Sequence, residues 1–291
     1  MVLRCWRDGI VLMGRNLSLV WVLFCCVGGF SLVPGLLYFG ELHDLTSRDP
    51  AAASLTGPLD YLWYSQIEAT AGAFFKALGR LQWLSVAGFV ACWLFLLGGV
   101  LSQLAGALYR ARGFLSACQR SFPAIGSLFA WAALGYGSIA YLHQRASNGV
   151  TTLTETWDGE WAALAVGLST YVVALLLVCL VTLVLRYAQI RAVLRPEDSV
   201  FASLEWAWRF VRRHLLIVLG VHAAGVAAGL LVLVAFCWLN NAIEPQSLPA
   251  ILGVIASAQI LVWLRAALRT AAAGAELSLC RAFGEVASSV R

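Results

Sequence analysis

Six long apolar runs follow one another along the chain, and each is long enough to cross a lipid bilayer as a helix. A transmembrane helix rises 1.5 Å per residue, so about 20 mainly apolar residues span a hydrocarbon core about 30 Å thick. The pattern therefore predicts six transmembrane helices. They cover residues 17–39, 81–108, 125–142, 162–185, 215–239 and 248–268.

The polar segments between the runs predict the connections. The largest is an exterior loop at residues 40–80, and the part of it from Asp60 onward predicts an interfacial helix. Three short amphipathic segments precede the first, third and fifth runs, at residues 6–16, 114–122 and 201–214. Each leads into a run, a loop and a return run. This order predicts three related helical hairpins with amphipathic lead-in helices.

The composition places these helices in lipid rather than in a soluble core. The chain has 291 residues, of which 61% are hydrophobic and only 12% are charged. Soluble domains usually carry about 25% charged residues. We therefore expect an all-α fold, a polytopic bundle of six transmembrane helices that forms one domain over residues 1–291.

The distribution of charge predicts the orientation. Sixteen of the 20 Lys and Arg residues lie on one side of the predicted spans, and Arg48, Lys76, Arg80 and Arg145 lie on the other. Because basic residues concentrate in cytoplasmic loops, both termini are predicted to be cytoplasmic. The excess of Arg over Lys is typical of a GC-rich bacterial genome. The expected location is therefore the bacterial cytoplasmic (inner) membrane, as a multi-pass protein.

The sequence contains no motif that predicts a catalytic, metal or cofactor site. Its eight cysteines form no Cys-x-x-Cys pair, and five of them fall inside the apolar runs. Gly-x-Ser-x-Gly, His-Glu-x-x-His, P-loop and dinucleotide-binding patterns are also missing. The arginines stand in short blocks between spans, as orientation signals do, so we expect no nucleic-acid partner.

Four polar residues within the predicted spans form a candidate intramembrane cluster. They are Gln103, His222, Gln259 and Arg265. Polar groups are costly in lipid, so one hypothesis is a proton-linked or polar-substrate site in the cytoplasmic half of the bundle. The other is that these groups form interhelical hydrogen bonds while Arg265 extends to the interface. No Asp or Glu falls within the predicted spans, which argues against a cation-coupled transporter.

The lead-in at residues 201–214 predicts a cytoplasmic surface helix. Phe201, Leu204, Trp208 and Val211 share one face at helical spacing, and Ser199 or Asp198 is expected to cap its start. One interpretation places this helix on anionic lipid headgroups, and the other makes it a docking face for a partner protein. The residues proposed for this face are Trp206, Trp208, Arg209, Arg212 and Arg213.

Two segments carry a resemblance to a known kind of protein. Arg186-Tyr-Ala-Gln-Ile-Arg191 is followed by Ser203-Leu-Glu-Trp-Ala-Trp-Arg-Phe-Val-Arg-Arg-His214. In this pattern the chain resembles uncharacterised bacterial six-helix proteins that are similar to the membrane domain of some glycerophosphodiester phosphodiesterases. The resemblance implies a six-helix membrane domain. It supplies no catalytic residues, because such families carry their chemistry on a separate soluble domain.

Two functions follow from these patterns as hypotheses. The first is a non-enzymatic membrane subunit that anchors or organises a larger assembly, with anionic lipids and other protein subunits as partners. The second is a permease subunit of an ATP-driven exporter or lipid transporter, because six spans and the short basic connector at residues 110–122 would suit contact with an ATPase.

Overall fold

Eight helices make up the part of the chain that the computed structural model describes, residues 1–48, 61–106, 111–154, 160–241 and 248–283. No strand occurs within these residues. The predicted all-α fold is therefore confirmed. In chain order the helices are α1 (Val2–Arg15), α2 (Leu17–Arg48), α3 (Tyr61–Ala105), α4 (Ala111–Thr154), α5 (Glu160–Leu194), α6 (Val200–Arg213), α7 (Leu215–Asn241) and α8 (Leu248–Ala282).

Six of the described helices are long and apolar enough to cross a membrane, which confirms the predicted number of spans. The chain is thus a multi-pass membrane protein. Their apolar segments are Leu17–Leu37, Gly79–Ala105, Arg112–Val150, Leu164–Leu194, Leu215–Asn241 and Leu252–Ala282. The last of these exceeds the predicted run at 248–268 by 14 residues at its carboxyl end, because the alanine-rich segment after Arg269 continues the helix without a break.

The three predicted lead-ins differ in the structure. The first and third are separate helices, α1 and α6, and each is joined to the following span by a turn at Asn16 or His214. At these turns the backbone N–H donates to the carbonyl three residues earlier instead of four. Examples are Asn16 N–H to the Met13 carbonyl at 2.9 Å and Ile217 N–H to the His214 carbonyl at 3.0 Å. The second lead-in is the first part of α4, which runs on through Pro123.

The chain divides into two compact units, which are described separately. The first unit contains Met1–Leu12, Phe95–Gly225 and Ala271–Arg291, and the second contains Met13–Leu94 and Val226–Thr270. In the first unit, α5 packs against both α4 and α6. Its largest fully buried side chains include Tyr187, Phe210 and Leu277.

Helix α5 shows how burial changes along a single helix. It is apolar all round, with a mean hydropathy of 2.7 in its candidate span. Leu164, Leu168 and Leu175 are 61%, 61% and 69% exposed, whereas Leu183 and Ile190 are almost completely buried. Exposed leucines of this density are stable in lipid rather than in water. The protein core of this helix therefore lies at its carboxyl-terminal end.

Aromatic contacts and a side-chain hydrogen bond join helices of the second unit. The rings of Trp21 and Trp263 lie 6.2 Å apart, as do those of Phe30 and Phe89. Gly88 makes room for Phe30, because a Cβ atom on Gly88 would lie 2.9 Å from a Phe30 ring carbon. The Ser257 hydroxyl also donates a hydrogen bond to the Asn240 side-chain oxygen, at 3.0 Å.

Candidate functional sites

Helix α6 is fixed to α5 at its start. Ser199 is its N-cap, and the Ser199 side chain accepts a hydrogen bond from the Ala202 N–H at 3.2 Å. In the preceding loop, Asp198 Oδ2 lies 2.7 Å from Arg191 Nε, and both side chains are mostly buried. A cap and a shielded ion pair each contribute about 1 kcal/mol or more to a helix end. The predicted cap at Ser199 is thus confirmed.

The face of α6 that packs against the protein consists of small and apolar residues. Ser203, Ala207, Phe210 and Val211 are buried, whereas Phe201 and Trp208 are exposed. On the face that was predicted to meet lipid or a partner, Phe201 and Trp208 are exposed and Val211 is buried. Small residues at 203 and 207 allow α6 to approach its neighbour closely, which apolar spacing alone does not reveal.

Trp206 is half-buried and packs against other residues of the first unit. Its ring stacks on that of Phe210 at 5.2 Å, and Phe210 contacts Tyr187 at 5.0 Å. The Arg191 guanidinium lies over the Trp206 ring, 5.2 Å from its centroid. A cation over an indole face is attracted by the ring quadrupole. Trp206 thus links α6 to the Arg191–Asp198 pair.

The remaining four residues of the predicted face are exposed and form one sector. At about 100° of rotation per residue, Trp208, Arg212, Arg209 and Arg213 follow one another around the side of α6 opposite its buried face. Phe201 lies in the same direction. Arg209 also pairs with Glu205 at 3.3 Å, a solvated contact of small energy. We call Phe201, Trp208, Arg209, Arg212 and Arg213 the α6 sector.

Helix α1 is packed within the first unit. The Trp6 indole N–H donates a hydrogen bond to the Val221 carbonyl of α7 at 3.0 Å. Gly220 and Gly225 of α7 leave space for Val2 and Trp6, since Cβ atoms there would lie 2.9 and 3.1 Å from those side chains. Burial, and next the Asp8 carboxylate, raise the pKa of the Cys5 thiol. Helix α1 is thus a structural part of the fold.

Glu276 is a buried acid that the sequence pattern did not single out. It lies on α8 between Ala275 and Leu277, and it is only 5% exposed. Among the described residues it forms no ion pair within 4.0 Å, although Arg186 of α5 acts on it electrostatically. The predicted end of the sixth span at residue 268 placed Glu276 in solvent. The unbroken Ala271–Ala275 segment was the available signal that the helix continues.

The four residues of the candidate intramembrane cluster are divided between the two units. Gln103 and His222 belong to the first unit, and Gln259 and Arg265 belong to the second. Gln259 and Arg265 are six residues apart on α8, a rotation of about 240°, so their side chains leave different faces of the helix. Their convergence with Gln103 and His222 stays a prediction. Of the pair on α8, Arg265 lines a cavity.

That cavity lies in the second unit between α2, α3 and α8 and has a volume of about 220 Å³. Two arginines of α8 line it, and Arg269 lies over the Trp93 ring of α3, 5.1 Å from its centroid. Its other walls are apolar. The lining residues are Leu23, Val27, Phe89, Trp93, Val262, Arg265, Ala266 and Arg269.

A second cavity, of about 240 Å³, lies in the first unit between α4 and α5. His143, Ser169 and Thr170 supply its polar lining. The His143 ring packs against Tyr171 at 4.5 Å, and its Nδ1 atom is buried without a hydrogen-bond partner in the described structure. The sequence pattern did not select His143, because it follows directly on the predicted third span.

Within the described residues, no group of three or more His, Cys, Asp or Glu side chains is placed to hold a metal ion. Comparison with protein-family models, with curated proteins and with solved structures gives no match to this chain.

Proposed function

We propose that this chain is a non-enzymatic subunit of the bacterial cytoplasmic membrane that organises a larger membrane assembly through the α6 sector. Both termini face the cytoplasm in this account. The observation that carries the proposal is the arrangement of α6, whose buried face is fixed to α5 while Trp208, Arg209, Arg212 and Arg213 remain exposed.

The side chains of the α6 sector suit a protein interface. Tryptophan and arginine are enriched among the residues that contribute most to binding energy. Because α6 is capped and tied to Arg191, little conformational entropy is lost when a partner docks on it. The sector contains three arginines, and one acid, Glu205, lies beside them. Its partner is therefore expected to present an acidic surface.

The position of the α6 sector indicates a partner that is itself in the membrane. Phe201 contacts Trp131 of α4, with ring centroids 5.3 Å apart. Trp131 lies within the third predicted span. In the proposed arrangement the start of α6 would lie near the membrane surface, and an acidic segment next to a transmembrane helix of the partner would meet it there.

Purification of the native complex in mild detergent tests this function. The triple variant R209Q/R212Q/R213Q, and W208A separately, should lose a stoichiometric partner, with binding weakened about tenfold or more. The matched control R4Q/R112Q/R120Q removes three other exposed arginines and should retain the partner. A wild-type protein that purifies alone and monodisperse would contradict the proposal, and so would a partner lost equally from the control.

The alternative, a permease subunit of an ATP-driven exporter or lipid transporter, is supported by the cavity that contains Arg265 and Arg269. Basic pockets between transmembrane helices bind anionic lipid headgroups. Reconstitution with an ATPase encoded next to this gene tests the alternative. An ATPase rate that rises on addition of this chain would favour it, and an unchanged rate would argue against it.

A further inference from the structure

We propose that the cavity between α2, α3 and α8 binds the phosphate headgroup of one anionic phospholipid. Arg265 and Arg269 would hold the phosphate, and the apolar wall formed by Leu23, Val27 and Phe89 would hold the first part of an acyl chain. This site is separate from the α6 sector and does not depend on its function.

The two arginines are placed to bind one anion together. Arg265 and Arg269 are four residues apart on α8, so they share a face and line the same cavity. Each guanidinium can also donate two parallel hydrogen bonds to phosphate oxygens. None of the described residues that line the cavity is acidic.

The contact with Trp93 gives the Arg269 side chain a restraint that a mobile surface arginine lacks. The Arg269 guanidinium lies 5.1 Å from the centre of the Trp93 ring, within the range of a cation–π contact. This contact fixes Arg269 against α3 on one side of the cavity. The phosphate thus meets a cation that is already positioned, which lowers the entropy lost on binding.

The depth of the site matches the level of lipid phosphates. Along α8, Arg265 and Arg269 lie about 26 and 32 Å from Leu248 at 1.5 Å per residue. The hydrocarbon core of a bilayer is about 30 Å thick. If Leu248 is near one membrane surface, both arginines are near the other. In the proposed orientation that surface is the cytoplasmic leaflet, where anionic lipids attract basic residues.

The size of the cavity selects a headgroup with an attached chain. Its volume of about 220 Å³ is below that of most complete ligand pockets, about 300–1,000 Å³. The cavity can therefore enclose a phosphate and part of the glycerol, while the acyl chains continue along the apolar surface into the bilayer. A free phosphate would fill only the polar end and leave the apolar wall unused.

Native mass spectrometry of the full chain, purified in mild detergent and exchanged with phosphatidylglycerol or phosphatidylcholine, tests this site. The wild type should retain one phosphatidylglycerol and release phosphatidylcholine. R265Q/R269Q should weaken retention about tenfold or more, because charge-assisted hydrogen bonds are lost. The control R112Q/R120Q removes two exposed arginines of α4 and should retain the lipid as the wild type does.

A second variant separates a shaped site from general attraction to charge. V27F fills the apolar part of the cavity and keeps both arginines, so it should also lose the bound phosphatidylglycerol. Millimolar inorganic phosphate should not displace the lipid. Size-exclusion chromatography checks the fold of each variant. If either R265Q/R269Q or V27F does not fold, the other variant still tests the site.

Three results would overturn the proposal. The first is the absence of a retained stoichiometric phosphatidylglycerol on the wild type. The second is equal loss from R112Q/R120Q or full retention by a folded V27F, since each would show attraction to charge without a defined site. Full retention by a folded R265Q/R269Q counts with them, because it would show that these arginines do not hold the phosphate. The third is complete displacement by inorganic phosphate, which would assign the site to a free anion.

Discussion

Gly9 is the residue at which α1 comes closest to α8. A Cβ atom on Gly9 would lie 2.7 Å from the Ala275 nitrogen and closer still to the Ala271 carbonyl oxygen. The facing Gly274 is also close, since its Cβ would lie 3.0 Å from the Gly9 Cα. Backbone atoms cannot move aside as the end of a flexible side chain can. The absence of a side chain at Gly9 is therefore what allows α1 to pack within the first unit.

We expect G9A to destabilise the protein by about 1–3 kcal/mol, the usual cost of overpacking. The control is G14A, on the same helix, where no atom lies within 4 Å of the added Cβ. There the higher helix propensity of alanine should be neutral or should stabilise by about 0.5–1 kcal/mol. Thermal unfolding of both variants in one detergent measures the difference. Equal midpoints for G9A and G14A would show that α1 does not pack as described.

At the scale of the helices, the sequence pattern predicted which elements exist better than which of their faces are buried. The apolar runs and the amphipathic segments at α1 and α6 are both present, because membrane length and helical periodicity are local properties. The buried face of α6 and the continuation of helix α8 beyond residue 268 were not predicted. Ser203 and Ala207 are buried by the approach of a neighbour, and hydropathy does not separate solvent from a small-residue helix contact after Arg269.

The candidate sites also contain some residues that could be selected from the sequence and others that could not. The exposed arginines of the α6 sector and Arg265 could be selected from the sequence, because a charge beside an apolar run is conspicuous. Trp93 and Glu276 could not. Their roles depend on which residues of distant helices face them, Arg269 for Trp93 and α5 for Glu276. Such pairings are properties of the packed bundle.

The connection between α5 and α6 should depend on the Arg191–Asp198 pair. D198N leaves the mostly buried Arg191 guanidinium without its carboxylate, and we expect a loss of about 1–3 kcal/mol. Amide hydrogen exchange should become faster along α6 in this variant. E197Q removes the neighbouring exposed carboxylate and should leave exchange unchanged. If α6 is equally protected in D198N, the ion pair does not fix the helix.

At the scale of the whole molecule, both binding proposals require six spans with a defined direction. The exposed leucines of α5 and α7, such as Leu164 and Leu216, are stable only where lipid covers them. The proposed direction follows from the arginine distribution, and both binding proposals depend on it. The α6 sector must meet a partner at the cytoplasmic surface, and Arg265 and Arg269 must meet lipids of the cytoplasmic leaflet.

The native cysteines make a simple labelling test of this direction feasible. Cys5, Cys118 and Cys280 are buried, and the other five described cysteines lie within the apolar spans. The raised pKa of Cys5 also reduces its reactive thiolate at neutral pH. The wild-type chain should therefore react slowly with a water-soluble maleimide and provide a low background for added cysteines.

The most direct measurement is labelling of N148C and E197C with a membrane-impermeant maleimide in intact and in permeabilised cells. Both positions are exposed, Asn148 near the end of α4 and Glu197 between α5 and α6. The account predicts that N148C reacts in intact cells, whereas E197C reacts only after permeabilisation. Labelling of E197C in intact cells, with N148C protected, would reverse the orientation and contradict the account.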